Sequence, residues 1–427
     1  MPQHTPIGGH AFKFQLAAPV GWTYAPGDVI IGHLVRKEPI DTPEAVINLS
    51  FIGRVKVKIT HRDNHKDKIH IYRDDWRLFE LGEFVIHQGP LHLAEGTDEV
   101  LSWPISVTIP LEPSPRCTAG HIQKASFVPL DADHPVHHIL PGSFHSSGEN
   151  FSTARSDDIV EYWLEAKLRY AKGHERFDFH NHHHDHGAVQ PIYMRHPLPP
   201  ADQIGIPRML PGVNTVSSQR LLPGMEDADL SFKQHFQKFF HSSKVPDFKY
   251  TLHFTVPTAF QLDDPNPLSI QLEIVQDPNG TSDSIKDVEQ HIQIRKIRMS
   301  LRTQTDDCAP RDWDLSAFHN EHHDKMNLNL ERVFEELESP LVIHTGKRNE
   351  PIHIGNIFQL TLHRDGLKSG GRSLYGGDPF TSGGIQPSFM TYNIRHHHMM
   401  EWKISLSIAG EHESHEYCLP VQIIGPA

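Results

Sequence analysis

The sequence RVKVKIT, residues 54–60, alternates apolar and polar side chains without a break. Successive side chains of a β-strand point to opposite faces, so the apolar residues share one face and the basic residues share the other. Such a pattern is typical of a strand that is buried on one side only. Residues 45–51 alternate in the same way, and Gly53, between the two runs, predicts a bulge.

The period of two recurs in both halves of the chain. Residues 160–170 (VEYWLEAKLRY) fit it better than a helical period, although Leu, Glu, Ala and Lys favour helices. Six further segments are typical of strands: 250–256, 268–275, 292–301, 352–363, 402–408 and 419–424. Residues 324–337 fit either a helix or an edge strand. Because the pattern lacks crossover helices, we predict an all-β fold of antiparallel sheets packed face to face.

Composition divides this strand-rich chain into three segments, and its 427 residues suit two or three domains. We predict two tandem immunoglobulin-like β-sandwiches, over residues 10–172 and 247–427, joined by a long, partly disordered linker over 173–246. The linker is rich in His and Pro, with HNHHHDHG at 180–187, and lacks sustained alternation. Residues 230–240 within it could form a short amphipathic helix, which would pack on a domain or dock on a membrane or partner.

Charge and cysteine usage exclude several classes of protein. A formal net charge of −13 argues against broad nucleic-acid binding, since Lys and Arg supply that affinity. The three cysteines lack Cys-x-x-Cys spacing and fit a reducing compartment. The first residues lack the apolar segment of a secretory signal, so we expect a cytoplasmic protein. Three glycosylation sequons, at Asn48, Asn150 and Asn279, would suit a secreted carbohydrate-binding sandwich, the competing class. We take them as chance, because the first residues lack a signal segment and the number of cysteines is odd.

Histidine is unusually abundant, with 35 residues. Protonation of half of them, near a pKa of about 6.5, would reverse the sign of the net charge. The histidines at 180, 182, 183, 184 and 186 are numerous enough for a metal ion but lack the spacing of a shaped site. Alternation puts His396 and His398 on one face, which mildly supports a site. We predict no metal site and no cofactor.

No catalytic residues are predicted. The sequence contains no nucleophile elbow, phosphate-binding loop, H-E-x-x-H motif or dinucleotide fingerprint. A β-sandwich hydrolase is therefore the least favoured class.

Several phrases, taken in order, resemble the arrestin family. YAPGDVIIGHLV (24–35) and VINLSFIGRVKVKI (46–59) are similar to the start of an arrestin amino-terminal domain. Three later phrases are similar to its following segments: WPISVTIP (103–110), LPGSF (140–144) and DIVEYWLEAKL (158–168). Residues 387–411 and 417–426 resemble the carboxy-terminal domain of fungal α-arrestin-like proteins. The resemblance implies the arrestin fold, with two sandwiches and no catalytic machinery.

The resemblance also implies an adaptor that binds cytosolic parts of membrane transporters or receptors. Such adaptors recruit a HECT-type ubiquitin ligase, usually through PPxY motifs read by WW domains, so that cargo is internalised. This sequence has no PPxY, because Ala201 and Asp202 follow Pro199-Pro200. We expect the ligase to be reached directly or through another arrestin, at the plasma membrane or endosomes. The alternative is a cytosolic β-sandwich scaffold or binding protein without a trafficking role.

The candidate binding site is a basic run in this acidic chain. It comprises Arg54, Lys56, Lys58, Arg62, Lys66 and Lys68. The first three must share one strand face. They could bind a phosphorylated or acidic cytosolic tail, or anionic lipid headgroups. The other interpretation is a solvated outer face of a half-buried sheet.

Overall fold

A computed structural model describes most of the chain, and its described part is nearly all β. The described residues are 12–63, 68–130, 140–149, 154–170, 183–198, 206–225, 245–311, 316–345, 350–374 and 384–426. Their two α-helices are short, Glu331–Glu335 and Ile354–Ile357. None of the helices found in these ranges has the length and hydropathy to cross a bilayer. The predicted all-β fold is confirmed.

The chain divides into two compact units. Unit 1 comprises residues 1–197 together with 305–322 and 389–396, and unit 2 comprises 198–304, 323–388 and 397–427. Two distinct hydrophobic cores, one in each unit, accompany this division. The two-body organisation predicted from the sequence is therefore present, although unit 1 also takes residues from the second half of the chain.

Strands β1 to β9 lie in the first part of unit 1. They are β1 Phe12–Leu16, β2 Thr23–Tyr24, β3 Val29–Arg36, β4 Ile40–Asp63, β5 Lys68–Leu93, β6 Leu101–Thr108, β7 Phe144–Glu149, β8 Ala154–Tyr170 and β9 His183–Met194. One sheet has the order β1-β3-β6, and the other has the order β2-β9-β8-β4-β5 with β7 beside β8. The pairing is antiparallel except between β2 and β9.

The core of unit 1 contains side chains from both of its sheets. Phe14 and Ile30 come from the smaller sheet, and Val57 and Leu164 come from the larger one. The hydroxyl of Tyr162, which is also buried here, donates a hydrogen bond to the Pro141 carbonyl at 2.7 Å. A buried phenol requires such a partner, so this bond attaches the loop before β7 to β8.

Strands β10 to β23 make up the rest. They are β10 Pro207–Ser217, β11 Asp247–Pro257, β12 Ala259–Gln261, β13 Gln271–Gln276, β14 His291–Pro310, β15 Ala317–Asn327, β16 Leu341–His344, β17 Ile352–His353, β18 Leu360–His363, β19 Gly366–Ser369, β20 Arg372–Ser373, β21 Phe389–Met390, β22 Ile394–Ile408 and β23 Glu411–Ile424. The sheet orders are β10-β11-β13-β17, β12-β23-β22-β14-β15 and β18-β19-β20, with β16 beside β14 and β21 beside β22. The core of unit 2 includes Phe248, Phe254 and Trp402.

Several local predictions can be compared with these strands. Residues 45–51 and 54–60 form one strand, and its register shifts between Gly53 and Arg54, so the predicted bulge is confirmed. The predicted strand at 352–363 is wrong in its middle, where residues 354–357 are helical. In 324–337 the end of β15 precedes the helix Glu331–Glu335, so both interpretations hold in part.

The segment predicted as a linker, 173–246, contains two strands that its composition did not indicate. Strand β9 pairs with β8, and β10 pairs with β11 along its whole length. Both contain residues that discourage strand prediction, His, Gly and Pro in β9 and Gly and Pro in β10, and pairing with a long neighbour outweighs that preference. The amphipathic helix predicted at 230–240 lies outside the described residues.

The bulge at Gly53 supports a sharp prediction. A Cβ atom there would lie 2.7 Å from the ring of Phe79 and 2.8 Å from the ring of Tyr162, two core aromatics. We expect Gly53→Ala to lower the unfolding free energy of unit 1 by about 1–3 kcal/mol, because these rings must leave their packed positions. Urea denaturation followed by tryptophan fluorescence measures the effect.

Gly82→Ala is the matched control, since nothing lies within 4 Å of a Cβ atom at that position of β5. Equal stability of Gly53→Ala and the parent protein would contradict the packing described here.

Candidate functional site

The structure places the first half of the predicted basic run on the outer face of β4. Arg54, Lys56 and Lys58 are half-buried there. The apolar residues that alternate with them, Val55, Val57 and Ile59, are fully buried on the opposite face. Lys66 lies outside the described residues.

Arg54 is bound within the protein. Its Nε donates a hydrogen bond to Glu161 Oε1 at 2.5 Å, and its Nη1 lies 3.4 Å from Asp75 Oδ2. The guanidinium also lies over the ring of Trp163, 5.0 Å from the ring centroid. Glu161 on β8 is almost fully buried, although alternation predicts it on the outer face. Arg54 therefore compensates the buried carboxylate of Glu161. Its guanidinium is less accessible to a ligand than that of an exposed arginine.

Lys56 and Lys58 both have acidic residues opposite them on adjacent strands. Lys56 is directly opposite Asp75 on β5, and Lys58 is opposite Asp157 on β8. Directly opposed residues share a face and interact, so acidic neighbours weaken the positive potential of this part of the row. The outer face of β4 is a network of both signs.

Beyond Lys58, the same face of the β4–β5 hairpin becomes basic and apolar. Lys58 is opposite Arg73, Thr60 is opposite Ile71, and Arg62 is opposite Ile69. Arg62, Ile69, Ile71 and Arg73 are all exposed, with Ile69 at 66%. We call Lys58, Arg62, Ile69, Ile71 and Arg73 the hairpin face.

Lys68, which the sequence analysis grouped with these residues, lies on the other side of the hairpin. It is opposite Asp63 in the register and is exposed. On that side Tyr72 stacks on Phe318, with ring centroids 4.7 Å apart.

The histidines that alternation placed together do share a face. His396 and His398 on β22 are both buried, with His397 between them partly exposed. Burial, together with the neighbouring His397, lowers the pKa of His398 to about 3. Of the run at 180–186, His180 and His182 lie outside the described residues, and the side chains of the others are not described.

A buried polar cluster in unit 1 was missed by the sequence analysis. Asp158 on β8, Asp307 on β14 and His322 on β15 are buried and present ligand atoms that all lie within 4.8 Å of one another. Burial and the nearby Asp307 raise the pKa of Asp158 well above its usual range, against a smaller lowering by Ser156. Burial likewise raises the pKa of Asp307.

A sequence signal for one member of this cluster does exist. Asp158 shares its parity with Val160, Tyr162 and Leu164, so alternation places a carboxylate on the inward face of β8. An aspartate at an inward position requires a partner, and the sequence does not show which one.

A second inward-facing aspartate, Asp74, is hydrogen-bonded by neighbouring side chains. Asp74 on β5 and Asp158 on β8 flank Val57 of β4 on the core face. The Asp74 carboxylate accepts hydrogen bonds from Trp76 Nε1 at 2.5 Å and from Asn393 Nδ2 at 3.3 Å. The two aspartates therefore occupy equivalent places but differ in how their charge is satisfied.

Comparison with known proteins does not identify a family for this chain or a role for these residues. No protein-family model matches the chain, and no curated protein sequence matches it. The resemblance to arrestins stays a prediction based on the order of sequence phrases.

The Arg54 ion pair supports a prediction about stability. We expect Arg54→Ala to destabilise unit 1 by about 2–4 kcal/mol, because it leaves Glu161 charged and buried without its principal partner. Lys56→Ala on the same face should cost less than about 0.5 kcal/mol. Urea denaturation measures both, and Glu161→Gln in the Arg54→Ala background should recover part of the loss. Similar small losses for both single variants would show that Arg54 has no structural role.

His398 supports a prediction about pH. The histidine is neutral in the folded state, whereas an unfolded histidine gains a proton near pH 6.5, so the unfolded state binds more protons below that pH. The contribution of His398 is complete above pH 6.5 and falls as pH decreases toward 3, by up to about 1.4 kcal/mol per unit. Burial lowers the pKa of His415 as well, which acts in the same direction.

Urea denaturation of unit 2 between pH 4.5 and 7.5 should show this loss, and His398→Asn should reduce its slope. His353→Asn, at an exposed position, controls for the removal of a histidine. Parallel slopes for the parent protein and His398→Asn would contradict the prediction.

Proposed function

We propose that this chain is a non-enzymatic, arrestin-like adaptor. It binds cytosolic parts of membrane transporters or receptors and couples them to ubiquitin-dependent endocytosis or trafficking. The order of the arrestin-like phrases supports this proposal, and the all-β fold with two separate cores is compatible with it. The observation on which it depends most is the exposed hairpin face.

The hairpin face combines two properties of a peptide-binding surface. Its cations, Lys58, Arg62 and Arg73, lie beside the exposed isoleucines Ile69 and Ile71. Arg155 on β8, opposite Thr60, is a further cation on this face, and Glu149 on β7 lies 3.7 Å from its guanidinium and offsets its charge. Charge-assisted hydrogen bonds from such cations select carboxylate or phosphate groups, and the isoleucines supply apolar area that a purely charged surface lacks.

The edge of the sheet offers a second mode of contact. Strand β5 is the terminal strand of its sheet within the described ranges. An extended peptide can add to such an edge by main-chain hydrogen bonds, and its side chains then reach the neighbouring face. The partner that suits this surface is an extended, acidic or phosphorylated cytosolic tail with apolar residues among its charges.

Recruitment of a ubiquitin ligase is the part of this proposal that the sequence supports least. The chain has no PPxY motif, so a HECT-type ligase would be reached through a different contact or through a second arrestin-like protein. The competing proposal is a cytosolic scaffold that uses the same face without a trafficking role. Proximity labelling distinguishes the two, because only the adaptor should enrich plasma-membrane transporters together with a HECT ligase.

Peptide binding tests the hairpin face directly. We expect the double variant Lys58→Glu/Arg73→Glu to bind fluorescent acidic and phosphorylated transporter-tail peptides at least tenfold more weakly than the parent protein, measured by anisotropy. This loss corresponds to about 1.4 kcal/mol, which two charge reversals readily supply. Lys68→Glu, on the opposite side of the same hairpin, should change affinity less than about threefold.

Circular dichroism and thermal melting check that the variants are folded, and Ile69→Ser tests the apolar part independently of charge. Equal affinities of all variants would remove the hairpin face as the binding site. Binding of the protein to vesicles that contain anionic lipid tests the other ligand class. If the protein binds these vesicles and not the peptides, the ligand of the hairpin face is a membrane surface and not a cargo tail.

A further inference from the structure

Three ligand groups of unit 1 converge from different strands. Asp158 comes from β8, Asp307 from the end of β14 and His322 from β15, and all three residues belong to unit 1. Their ligand atoms lie within 4.8 Å of one another. Metal–oxygen and metal–nitrogen bonds of about 2.0–2.2 Å place ligand atoms roughly 3–4 Å apart, so one ion can reach all three after small adjustments.

The carboxylates of this cluster have fewer partners than burial requires, since only Oδ2 of Asp307 receives a hydrogen bond from the described residues, donated by Asn320. Both oxygens of Asp158, and Oδ1 of Asp307, accept no hydrogen bond of normal geometry from the described residues. Neither aspartate has any exposed surface. The charges that act on Asp158 are those of Asp307 and Asp157, which are acidic themselves. A buried pair of carboxyl groups with so little compensation is costly to charge, and a proton or a cation would relieve that cost.

The imidazole is oriented as a metal ligand would be. His322 Nε2 lies 3.0 Å from Ser146 Oγ, and Nδ1 lies 4.0 Å from Asp307 Oδ2 and 3.3 Å from Ser156 Oγ. When Nε2–H donates to Ser146, the lone pair of Nδ1 faces the carboxylates. A hydrogen bond on the far nitrogen is the usual way in which proteins orient metal-binding histidines.

Two neighbours hold this arrangement in place. Asn320 Nδ2 donates a hydrogen bond to Asp307 Oδ2 at 3.1 Å, which positions that carboxylate. Gly148 allows the imidazole to approach β7, since a Cβ atom at Gly148 would lie 2.3 Å from His322 Cδ2. The site is therefore shaped by its surroundings.

We propose that Asp158, Asp307 and His322 bind a divalent metal ion, and that this ion is Zn²⁺. Zinc accepts carboxylate oxygens and imidazole nitrogen in a four-coordinate site, whereas Mg²⁺ and Ca²⁺ prefer oxygen ligands only. The two carboxylates balance the charge of the ion, and the Ser156 hydroxyl or a water molecule can supply the fourth position. The ion would join residues from both halves of the chain inside unit 1, as a structural site. This role goes beyond the proposed adaptor function and does not depend on it.

Zinc titration of the full chain, first stripped with a chelator, tests the proposal. We expect calorimetry to show one tight Zn²⁺ ion in the parent protein that Asp158→Asn lacks, with affinity lowered at least about 100-fold. Zn²⁺ should raise the melting temperature of the parent protein and not that of Asp158→Asn. Co²⁺ in place of Zn²⁺ should give visible absorption bands that report its ligands directly.

Other histidines require matched controls. The exposed group Glu289, His291 and His344 also brings three ligand atoms together, and the run at 180–186 could bind zinc weakly. His344→Asn should preserve the tight site and the rise in melting temperature, whereas Gly148→Ala, which displaces His322, should weaken both.

Equal stoichiometry and equal melting shifts in the parent protein and Asp158→Asn would overturn the proposal and assign zinc to the surface histidines. If Asp158→Asn does not fold, the same comparison is made with His322→Gln. A parent protein that binds no tight zinc would likewise overturn the proposal.

Discussion

The pairing of β4 with β5 on one side and β8 on the other is the constraint on which unit 1 depends. Because β4 is central, its residues 45–61 lie between β8 and β5, and the pleat assigns each paired neighbour to the core or to the surface. Burial of Val55, Val57 and Ile59 selects the register. A slip by one residue would bury the lysines and expose the core, so the hydrophobic effect holds the three strands in alignment.

The same register creates the polar features of the unit. It brings Asp74 and Asp158 to the core on either side of Val57, and it places Glu161 beside Arg54 on the other face. Each buried carboxylate then needs compensation. Asp74 obtains it from Trp76 and Asn393, and Glu161 obtains it from Arg54, whereas Asp158 is beside a second carboxylate and an imidazole. A cation bound there would give Asp158 the compensation that Asp74 and Glu161 obtain from protein side chains.

A binding protein needs surfaces more than clefts, and the long β4–β5 hairpin supplies one. Near the centre of the sheet the outer face alternates in charge, which stabilises the strands and leaves little net potential. Toward the end of the hairpin, Arg62 and Arg73 lie beside the exposed isoleucines Ile69 and Ile71. The proposed cargo contact therefore lies toward the end of the hairpin, where exposed basic and apolar side chains stand together.

Sequence periodicity alone determined the local features of this protein: the faces of β4, the inward face of β8, the bulge at Gly53 and the shared face of His396 and His398. These follow from the pleat of a single strand, which neighbouring residues in the chain define. Tertiary structure alone decided that β9 and β10 are strands, that Arg54 is bound by Glu161, and that Asp158 meets Asp307 and His322. Those outcomes depend on which distant strands become neighbours and in what register, and the packing of whole sheets, which periodicity does not encode, settles that choice.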